Sequence, residues 1–433
     1  MVDRKFYSKP WLKNFFLCIS SLTFILLIGE WLFPLFLTKI PLKLYGNLDR
    51  ALLTLVQSSK NYVVPKDYIA ILGDSYAAGL GEWLNEGIKT NSLSNPDYGA
   101  AHILHNKTKR DVVSFGSGGT GSIEGLVSLP IVQLRTINSH WAFNQDNPKQ
   151  ILAFFFEGND LEDNLRDLDR FYKPKYDMKK IYETKYFQEF LKTEIIENHS
   201  LIRNVTVFNN LSFSSFLGKG LLNLFNEFWT EEDHYEKNWQ ILKNKEKLYQ
   251  LDLKKAVHTH PAHLINIATV DNKKWVFNKR NMGASLELSG EEISLGVYVF
   301  EQSLEFMRKY FEDSKISIIY IPSTLSSYQL LTLEESGLKK LKGFRSDYNL
   351  RLHTIKKRSK FICNKIEEIA TKYNFGFLDA GKYIRRVTKK EILHGSVDQD
   401  HFNKKGYYVL SDGIIETFFS GDNPAAIRGC IYE

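Results

Sequence analysis

The sequence of 433 residues predicts an α/β protein built on a parallel sheet of five strands, preceded by one N-terminal membrane helix. Three observations support this fold class. Five short apolar runs recur along the chain, helical patterns lie between several of them, and a long apolar stretch stands close to the N-terminus. Strands that alternate with helices are typical of a parallel sheet covered on both faces.

The predicted strands are short, continuous in apolar residues, and rich in β-branched or aromatic side chains. This composition is typical of parallel strands that are buried on both faces. The five runs are Tyr68–Leu72, Asp111–Phe115, Ile151–Phe156, Ile316–Ile321 and Phe375–Asp379.

One helix is predicted before the fourth run and another after it. One extends from Ser289 to about Phe311, and Ser289 with Glu292 has the spacing of a capping box. The other spans roughly Tyr348–Tyr373. Both are long enough to cover a sheet face.

One interval is too long for an ordinary crossover, because residues 157–315 separate the third and fourth runs. We interpret about 165–288 as a mainly helical insertion, and Ser212–Trp229 reads as one of its helices. Its apolar residues fit three interpretations: the small core of a helical subdomain, the lining of an acyl or sugar pocket, or a surface that lies on a membrane.

The N-terminal segment Phe15–Leu37 has the length and composition of a bilayer crossing, with Glu30 as its one charge and Pro34 near its end. Basic residues precede it, which predicts a cytoplasmic tail over 1–14, a single uncleaved anchor and an exported remainder. Residues 38–66 then form a juxtamembrane connector before a domain over 67–433. A buried core helix and a cleaved signal peptide are the alternatives. The basic residues are Arg4, Lys5, Lys9 and Lys13.

Composition argues against two classes of function. The 57 basic and 50 acidic residues are mixed along the chain without a basic patch, which does not favour nucleic-acid binding. The three cysteines, Cys18, Cys363 and Cys430, have no Cys-x-x-Cys spacing, so a thiolate zinc site is not expected. Whether Cys363 and Cys430 pair is left open by the sequence.

Polar and glycine-rich segments follow each of the first four predicted strands, and one more precedes the last helix. Ligands bind at the carboxyl ends of the strands in open parallel sheets, so these segments are expected to meet at one edge. They are Gly73–Ser75, Gly116–Ser122, Glu157–Asp160, Pro322–Thr324 and Val397–Gly406.

These segments contain the parts that acyl transfer requires. Ser75 is a candidate nucleophile, which needs a base to take its proton, and His401 is the candidate base. Asp398, three residues before His401, is expected to orient the imidazole ring. The backbone N–H groups of Ser75 and Gly119 and the side-chain amide of Asn159 are candidate oxyanion donors. The alternative for Ser75 is a helix N-cap.

Four short blocks resemble those of the SGNH (GDSL-type) hydrolase family, and they occur in that family's order from Tyr68 to about Phe418, the insertion excepted. They are "GDSY" with Ser75, "VVSFGSGGT" with Gly119, "EGND" with Asn159, and "DQDH" with Asp398 and His401. The chain departs from the family pattern at Tyr76, Glu157 and Ser114. Glu157 is expected to place an extra carboxylate near the site.

The resemblance implies a flavodoxin-like three-layer sandwich and a serine esterase or O-acyltransferase that needs no metal or organic cofactor. It implies acylated carbohydrates or lipids as substrates, with acetyl groups of envelope or exported polysaccharide as the analogy for an anchored member. The alternative is a catalytically inactive protein of the same fold that binds carbohydrate or acts in envelope assembly.

Three other functions compete for parts of the sequence. Gly116, Gly118 and Gly121 fit a dinucleotide-binding turn, although no acidic residue stands near Thr136–Trp141 where such a site needs one. The "HTHPAH" segment holds His258, His260 and His263, which could ligate a metal or lie on an exposed loop. Glycoside hydrolysis would need two facing carboxylates, and Glu157 and Asp160 are too close in sequence to assign those roles.

Overall fold

The centre of the protein is a five-stranded sheet in which every pair of neighbours is parallel, as the sequence predicts. The computed structural model describes residues 10–89, 97, 99–198, 211–229, 266–277, 283–336, 348–395, 398–420 and 429–430. The strands in it are β1 (Ile69–Leu72), β2 (Val112–Ser114), β3 (Gln150–Phe156), β4 (Asn266–Val270), β5 (Lys273–Phe277), β6 (Lys315–Ile321), β7 (Gln329–Leu330) and β8 (Gly376–Asp379).

The order of strands across the main sheet is β2-β1-β3-β6-β8. Its longest pairing joins β3 and β6 over seven residue pairs, from Gln150 opposite Lys315 to Phe156 opposite Ile321. Because all five strands run the same way, their carboxyl ends lie at one edge of the sheet. The polar segments that follow the strands are therefore brought to that edge.

Successive residues of the strands enter two separate hydrophobic clusters, one on each face of the sheet. In β1, Ala70 and Leu72 belong to one cluster, whereas Ile69 and Ile71 belong to the other. All four are fully buried. This alternation explains why the strands read as continuous apolar runs, since both faces are covered.

A second, antiparallel sheet lies outside the main one and was not expected from the sequence. Its strands β4 and β5 form a hairpin, and β7 pairs with the other side of β4. The hairpin turns at Asp271 and Asn272, which both have positive φ (51° and 58°). Asp and Asn tolerate the left-handed region that such tight turns require.

Helices occupy most of the remaining described chain, with short 3-10 and π turns at several of their ends. The α-helices are α1 (Pro10–Phe36), α2 (Leu53–Val56), α3 (Ser75–Ala78), α4 (Glu82–Lys89), α5 (Ala100–Thr108), α6 (Leu129–Asn138), α7 (Asp160–Asp167), α8 (Thr184–Phe190), α9 (Phe213–Trp229), α10 (Ala284–Glu287), α11 (Gly290–Tyr310), α12 (Thr324–Ser327), α13 (Leu333–Ser336), α14 (Tyr348–Lys372), α15 (Gly381–Thr388) and α16 (Lys404–Phe418).

The two helices predicted beside the fourth strand are confirmed as α11 and α14. The capping box is also present, because the Ser289 hydroxyl accepts from the Glu292 N–H while the Glu292 carboxylate accepts from the Ser289 N–H. The predicted helix within the insertion is α9, which begins at Phe213.

Helix α1 is the one described helix that is long and apolar enough to cross a membrane, with a mean hydropathy of 2.0 over its most apolar window. The candidate span is Trp11–Lys39, and that window is not buried by the rest of the chain. Only its end enters the protein, where Phe33, Leu37 and Ile40 join a small hydrophobic cluster. The helix could therefore anchor the chain in a membrane.

Residues 38–66, expected to be a connector, pack onto the domain through short helical turns. The Gln57 side chain donates to the Ser114 carbonyl (2.6 Å) and accepts from the Ser114 N–H (2.8 Å). The Ser59 carbonyl accepts from the Val112 N–H (2.9 Å). These contacts satisfy the outer edge of β2, which would otherwise present unpaired backbone groups.

Candidate functional site

The structure places Ser75, Gly119, Asn159 and His401 on four loops at the carboxyl edge of the main sheet. Ser75 directly follows β1, Gly119 follows β2, and Asn159 follows β3. His401 lies between α15 and α16. This is the arrangement that the order of the sequence blocks predicts.

The turn after β1 presents Ser75 as the first residue of α3 and not as its cap. Asp74 is the N-cap, and its Oδ1 accepts from the Tyr76 N–H at 2.9 Å. Gly73 has φ +139°, and a Cβ there would approach the Phe154 carbonyl oxygen to 2.9 Å, so only glycine fits. The N-cap alternative for Ser75 therefore does not hold in this structure.

Asp398 and His401 form the pair that the Asp-x-x-His block predicts. The ring nitrogen Nδ1 lies 2.7 Å from Asp398 Oδ2, and a carboxylate can only accept, so Nδ1 carries the proton. This tautomer leaves Nε2 free to accept a proton. The two side chains are 28% and 20% exposed, which gives them access to the cleft.

The charges around His401 favour its protonated form. Burial alone would lower the pKa of His401, but the hydrogen bond and charge of Asp398 raise it. The charges of Asp74 and Asp400 act in the same direction, and the pKa of His401 is raised overall. A raised pKa makes the imidazole a stronger base once it is neutral.

Tyr76 joins the loop of Ser75 to the loop of His401. Its hydroxyl donates to the Asp400 carbonyl at 2.7 Å, and its ring centroid lies 5.6 Å from that of His401. The Tyr76 side chain is fully buried and also packs against Phe156 at 4.2 Å. The residue beside the candidate nucleophile therefore helps to fix the position of the candidate base.

The Ser75 hydroxyl donates to Asp74 Oδ2 at 3.1 Å. Within the described part of the chain, no hydrogen bond joins Ser75 to His401. Catalytic hydrogen bonds are often long or poorly aligned before substrate binds, and a rotation about χ1 redirects a serine hydroxyl. Asp74 thus holds the hydroxyl in this state.

Gly119 and Asn159, the two remaining oxyanion candidates, are connected by a short chain of polar contacts. Arg166 donates to the Gly119 carbonyl (2.7 Å) and pairs with Asp163 (2.7 Å). Asn159 Nδ2 donates to Asp163 Oδ2 at 3.1 Å. An amide nitrogen has two hydrogens, so Asn159 keeps one for an oxyanion.

The loop that carries Gly119 passes beside Ser75. A Cβ placed on Gly118 would lie 3.9 Å from the Ser75 Cβ. Gly119 itself has φ +70°, a left-handed conformation that glycine adopts at little cost. The hydroxyl of Ser114 donates to the Ala77 carbonyl at 2.5 Å and ties the start of this loop to α3.

Several carboxylates are buried beneath the site. Burial raises the pKa of Asp74, although the Tyr76 N–H and the charge of His401 act against it. Burial and then the charge of Asp74 raise the pKa of Asp160 well above its usual range. Asp160 Oδ2 accepts from the Phe156 N–H at 2.8 Å, so this side chain holds the end of β3.

Glu157, expected to place an extra carboxylate near the site, is fully buried and bonded to the β6 side of the sheet. It accepts from the Tyr320 hydroxyl and the Ser323 N–H, both at 2.7 Å, and also from the Ser326 hydroxyl. These partners use the carboxylate to fix the loop after β6. Its role is to position that loop.

The surroundings of the glycine loop do not suit a dinucleotide. A Cβ on Gly121 would come within 2.6 Å of Asp167 Oδ2, and Glu124 and Asp163 lie close to that carboxylate. A pyrophosphate at this turn would face carboxylates, which repel it. Gly121 instead lets the loop pack against α7, and Gly116 lets it pack against Ala77 and Ala78 of α3.

No cluster of three or more His, Cys, Asp or Glu residues suited to a metal ion occurs among the residues that the structure describes. His258, His260 and His263 lie outside the described residues.

Sequence reasoning missed the residues that support the site. Asp74, Arg166 and Asp163 hold the nucleophile and the two oxyanion loops, yet each is an ordinary polar residue in the sequence. His394 was also missed; its Nδ1 lies 2.9 Å from the Tyr328 hydroxyl, and burial lowers its pKa to about 3. The acidic spacing on α7, with Asp160, Asp163 and Asp167 on neighbouring turns, was the one available signal.

The resemblance to the SGNH family rests on the four sequence blocks. The blocks are short, and the long interval between β3 and β6 separates the third block from the fourth. No protein-family model, no curated protein and no solved structure matches this chain.

Proposed function

We propose that the chain is a serine esterase or O-acyltransferase of the SGNH type, anchored in a membrane by α1. The observation that carries the proposal is that Ser75 and the Asp398–His401 pair lie at the same edge of the sheet. The Tyr76–Asp400 hydrogen bond connects the two loops that hold them. A nucleophile, a base and an orienting carboxylate at one sheet edge are the parts of a Ser-His-Asp triad.

In the proposed first half-reaction, Ser75 Oγ attacks the carbonyl carbon of an ester while His401 Nε2 takes the hydroxyl proton. Asp398 holds Nδ1–H and stabilises the imidazolium that forms. The Ser75 and Gly119 N–H groups and the free Asn159 N–H stabilise the oxyanion. The intermediate then collapses, His401 returns the proton to the leaving alcohol, and an acyl-Ser75 ester remains.

In the second half-reaction, water or a second alcohol attacks the acyl-serine with His401 again as base. Water completes hydrolysis, and a sugar hydroxyl completes transfer. The family resemblance suggests acylated carbohydrates or lipids, and acetyl is the proposed acyl group. The strand order, with the second strand at the edge and the first beside the third, supports a flavodoxin-like arrangement.

The proposed topology has a cytoplasmic N-terminus and an exported catalytic domain. The basic residues before α1 support this orientation. Cys363 and Cys430, whose pairing the sequence left open, form a disulfide, while Cys18 on α1 is free. Disulfides persist in oxidising compartments, which supports export of the domain.

A fluorophosphonate probe on the full-length protein tests the proposal. We expect covalent labelling of the wild type and of Ser117→Ala, a matched change on the neighbouring loop, and none of Ser75→Ala. Hydrolysis of an aryl acetate should follow the same pattern. Absence of both labelling and turnover in a folded wild-type sample would contradict an enzymatic role.

A second candidate is a non-catalytic protein of the same fold that binds carbohydrate or acts in envelope assembly. The hydrogen bond from Ser75 to Asp74, in place of His401, is the observation that favours it. Glycan binding that survives Ser75→Ala, with no probe labelling of the wild type, would support this candidate over the enzyme.

A further inference from the structure

Helix α9 carries an apolar face that the rest of the described chain leaves uncovered. Leu221 and Leu224 are 59% and 63% exposed, and Leu217 is 38% exposed. Their spacing of i, i+4 and i+7 places them on one side of the helix. An exposed face of this kind on a 17-residue helix needs an apolar partner.

The opposite side of α9 is fixed against the protein. The Phe216 ring lies 5.7 Å from the ring of Phe33 on α1, and Asn223 donates to the Asn47 side chain. A Cβ on Gly220 would come within 3.4 Å of the Asn47 Nδ2. These contacts set the rotation of the helix, so its apolar face is turned outward by packing.

The start of α9 is bonded to α1 through Glu30, the one charge in the apolar segment. The Glu30 carboxylate accepts from the Phe213 N–H (2.8 Å), the Ser214 N–H (3.0 Å) and the Ser214 hydroxyl. The first N–H groups of a helix have no partner within the helix, and an acid is stabilising there. The Glu30 carboxylate therefore pairs the first N–H groups of α9 at a position within the apolar segment of α1.

An exposed tryptophan lies near the junction of α1 with α9. Trp141 is 77% exposed and stacks on His140, whose ring centroid lies 5.7 Å away. His140 also stacks on Phe143, with ring centroids 4.8 Å apart, and Phe143 belongs to the hydrophobic cluster that includes Phe33 on α1. Tryptophan is enriched at membrane–water interfaces, where one end of its ring is apolar and the other polar.

We propose that α9 lies in the surface of the membrane that α1 crosses, with Leu217, Leu221 and Leu224 among the acyl chains and Trp141 at the headgroups. The inference rests on the membrane anchoring proposed above. It adds a second, in-plane contact that would hold the domain in one orientation against the lipid.

Lipid is the occupant that the surroundings of α9 favour. Glu30 lies six residues before the end of α1, or about 9 Å along the helix axis. An amphipathic helix buries its apolar face about 5–10 Å into the headgroup and acyl boundary, so α9 starts at the right depth. Leu27 and Trp31 on α1, which flank Glu30 in the sequence, are also exposed.

Depth-dependent quenching in nanodiscs tests the proposal on the full-length protein. Single cysteines at Leu221→Cys or Leu224→Cys, in a Cys18→Ser background, carry the environment-sensitive dye NBD. The matched control is Tyr408→Cys on α16, an exposed apolar residue at 38%. The native Cys18 on α1, labelled in the otherwise unchanged chain, reports the anchor itself, because Cys363 and Cys430 are bonded to each other.

We expect phosphatidylcholine–phosphatidylglycerol nanodiscs with doxyl-labelled acyl chains to remove most of the fluorescence at Cys18, Leu221 and Leu224, and little at Tyr408. Quenching at Cys18 alone would overturn the α9 contact and leave the anchor intact. No quenching at Cys18 would overturn both. If NBD-labelled Leu221→Cys is unquenched and the unlabelled variant forms disulfides between copies on oxidation, the face belongs to a second copy of the chain and the lipid contact is overturned.

Discussion

One hydroxyl group, that of Tyr76, connects the loop of the candidate nucleophile with the loop of the candidate base. It donates to the Asp400 carbonyl at 2.7 Å, and the contact is buried on the Tyr76 side and half-buried at Asp400. A typical hydrogen bond contributes about 0.5–1.5 kcal/mol to stability. Loss of this bond would also loosen the position of His401 relative to Ser75.

We therefore expect Tyr76→Phe to lower kcat for ester hydrolysis by about tenfold or more, since a small misplacement of catalytic groups is costly. The matched control is Tyr407→Phe, because the buried Tyr407 hydroxyl donates to the Leu80 carbonyl at 2.6 Å. Both variants should lose similar stability in thermal unfolding. Equal kcat values for the two variants would show that Tyr76 acts through stability alone.

The Asp398 carboxylate sets the protonation of His401, which gives a prediction for pH dependence. A general base must be neutral, and the pKa of His401 is raised. The acid limb of kcat/KM in the wild type should therefore lie above the ordinary histidine value of about 6.5. Asp398→Asn removes the group that contributes most to raising the pKa of His401, so the acid limb should move to lower pH. In the same variant, kcat should fall by up to about 10⁴-fold.

Asp400→Asn is the control for that experiment. Its charge also raises the pKa of His401, but Asp398 contributes more and supplies the ring hydrogen bond. We expect a smaller shift of the acid limb and most of kcat retained. An unchanged acid limb in Asp398→Asn would remove His401 from the role of base.

The contacts between the candidate residues could be predicted from sequence where they join near neighbours, and could not where they join distant ones. Asp398 and His401 are three positions apart, so their hydrogen bond follows from local geometry. Arg166 and Gly119 are distant in sequence and meet only because α7 packs against the glycine loop. The sequence likewise did not reveal that the Glu157 carboxylate accepts from the Ser323 N–H.

At the scale of elements, continuous apolar runs predicted the five main strands to within two residues at each end. The hairpin of β4 and β5 was missed because its turn, Asp271-Asn272, contains no glycine and lies within an interval rich in helical patterns. Helix α9 was found from its periodicity, but its contact with Glu30 depends on tertiary packing alone.

Helix α7 packs its acidic face inside the protein, which predicts how stability depends on pH. Burial, and then the charge of Glu124, raise the pKa of Asp167 to about 8. An acid with a raised pKa in the folded state stabilises the fold at low pH, and this contribution is lost as pH rises from about 4 to about 8. The melting temperature should fall over that range because of Asp167.

Asp167→Asn mimics the neutral acid at every pH. We expect it to raise the melting temperature at pH 8 and to change it little at pH 5, at about 1 °C for each kcal/mol regained in a chain of this length. Asp169→Asn is the control, because Asp169 pairs with Lys173 at the surface with 62% of its side chain exposed. The idea fails if both variants show the same pH dependence as the wild type.

At the scale of the whole molecule, the end of α1 is part of the domain and not a free tether. Leu37 and Ile40 are buried together with Leu52 and Phe143, and Gln57 completes the edge of β2. A rigid junction of this kind keeps the candidate site at a fixed height above the bilayer that α1 is proposed to cross. Removal of residues 38–66 would expose the β2 edge.

The disulfide between Cys363 and Cys430 tests the proposed export of the domain and its stability together. It closes a loop of 67 residues, which the chain-entropy relation values at about 4 kcal/mol. We expect Cys363→Ser and Cys430→Ser to lower the melting temperature alike, whereas Cys18→Ser leaves it unchanged. When the membrane fraction is unfolded in detergent, which exposes the thiol of α1, a maleimide–polyethylene glycol shift should mark one free thiol, Cys18, until a reductant releases two more. Three thiols reactive without reductant in membrane-inserted protein would place the domain in a reducing compartment and contradict export.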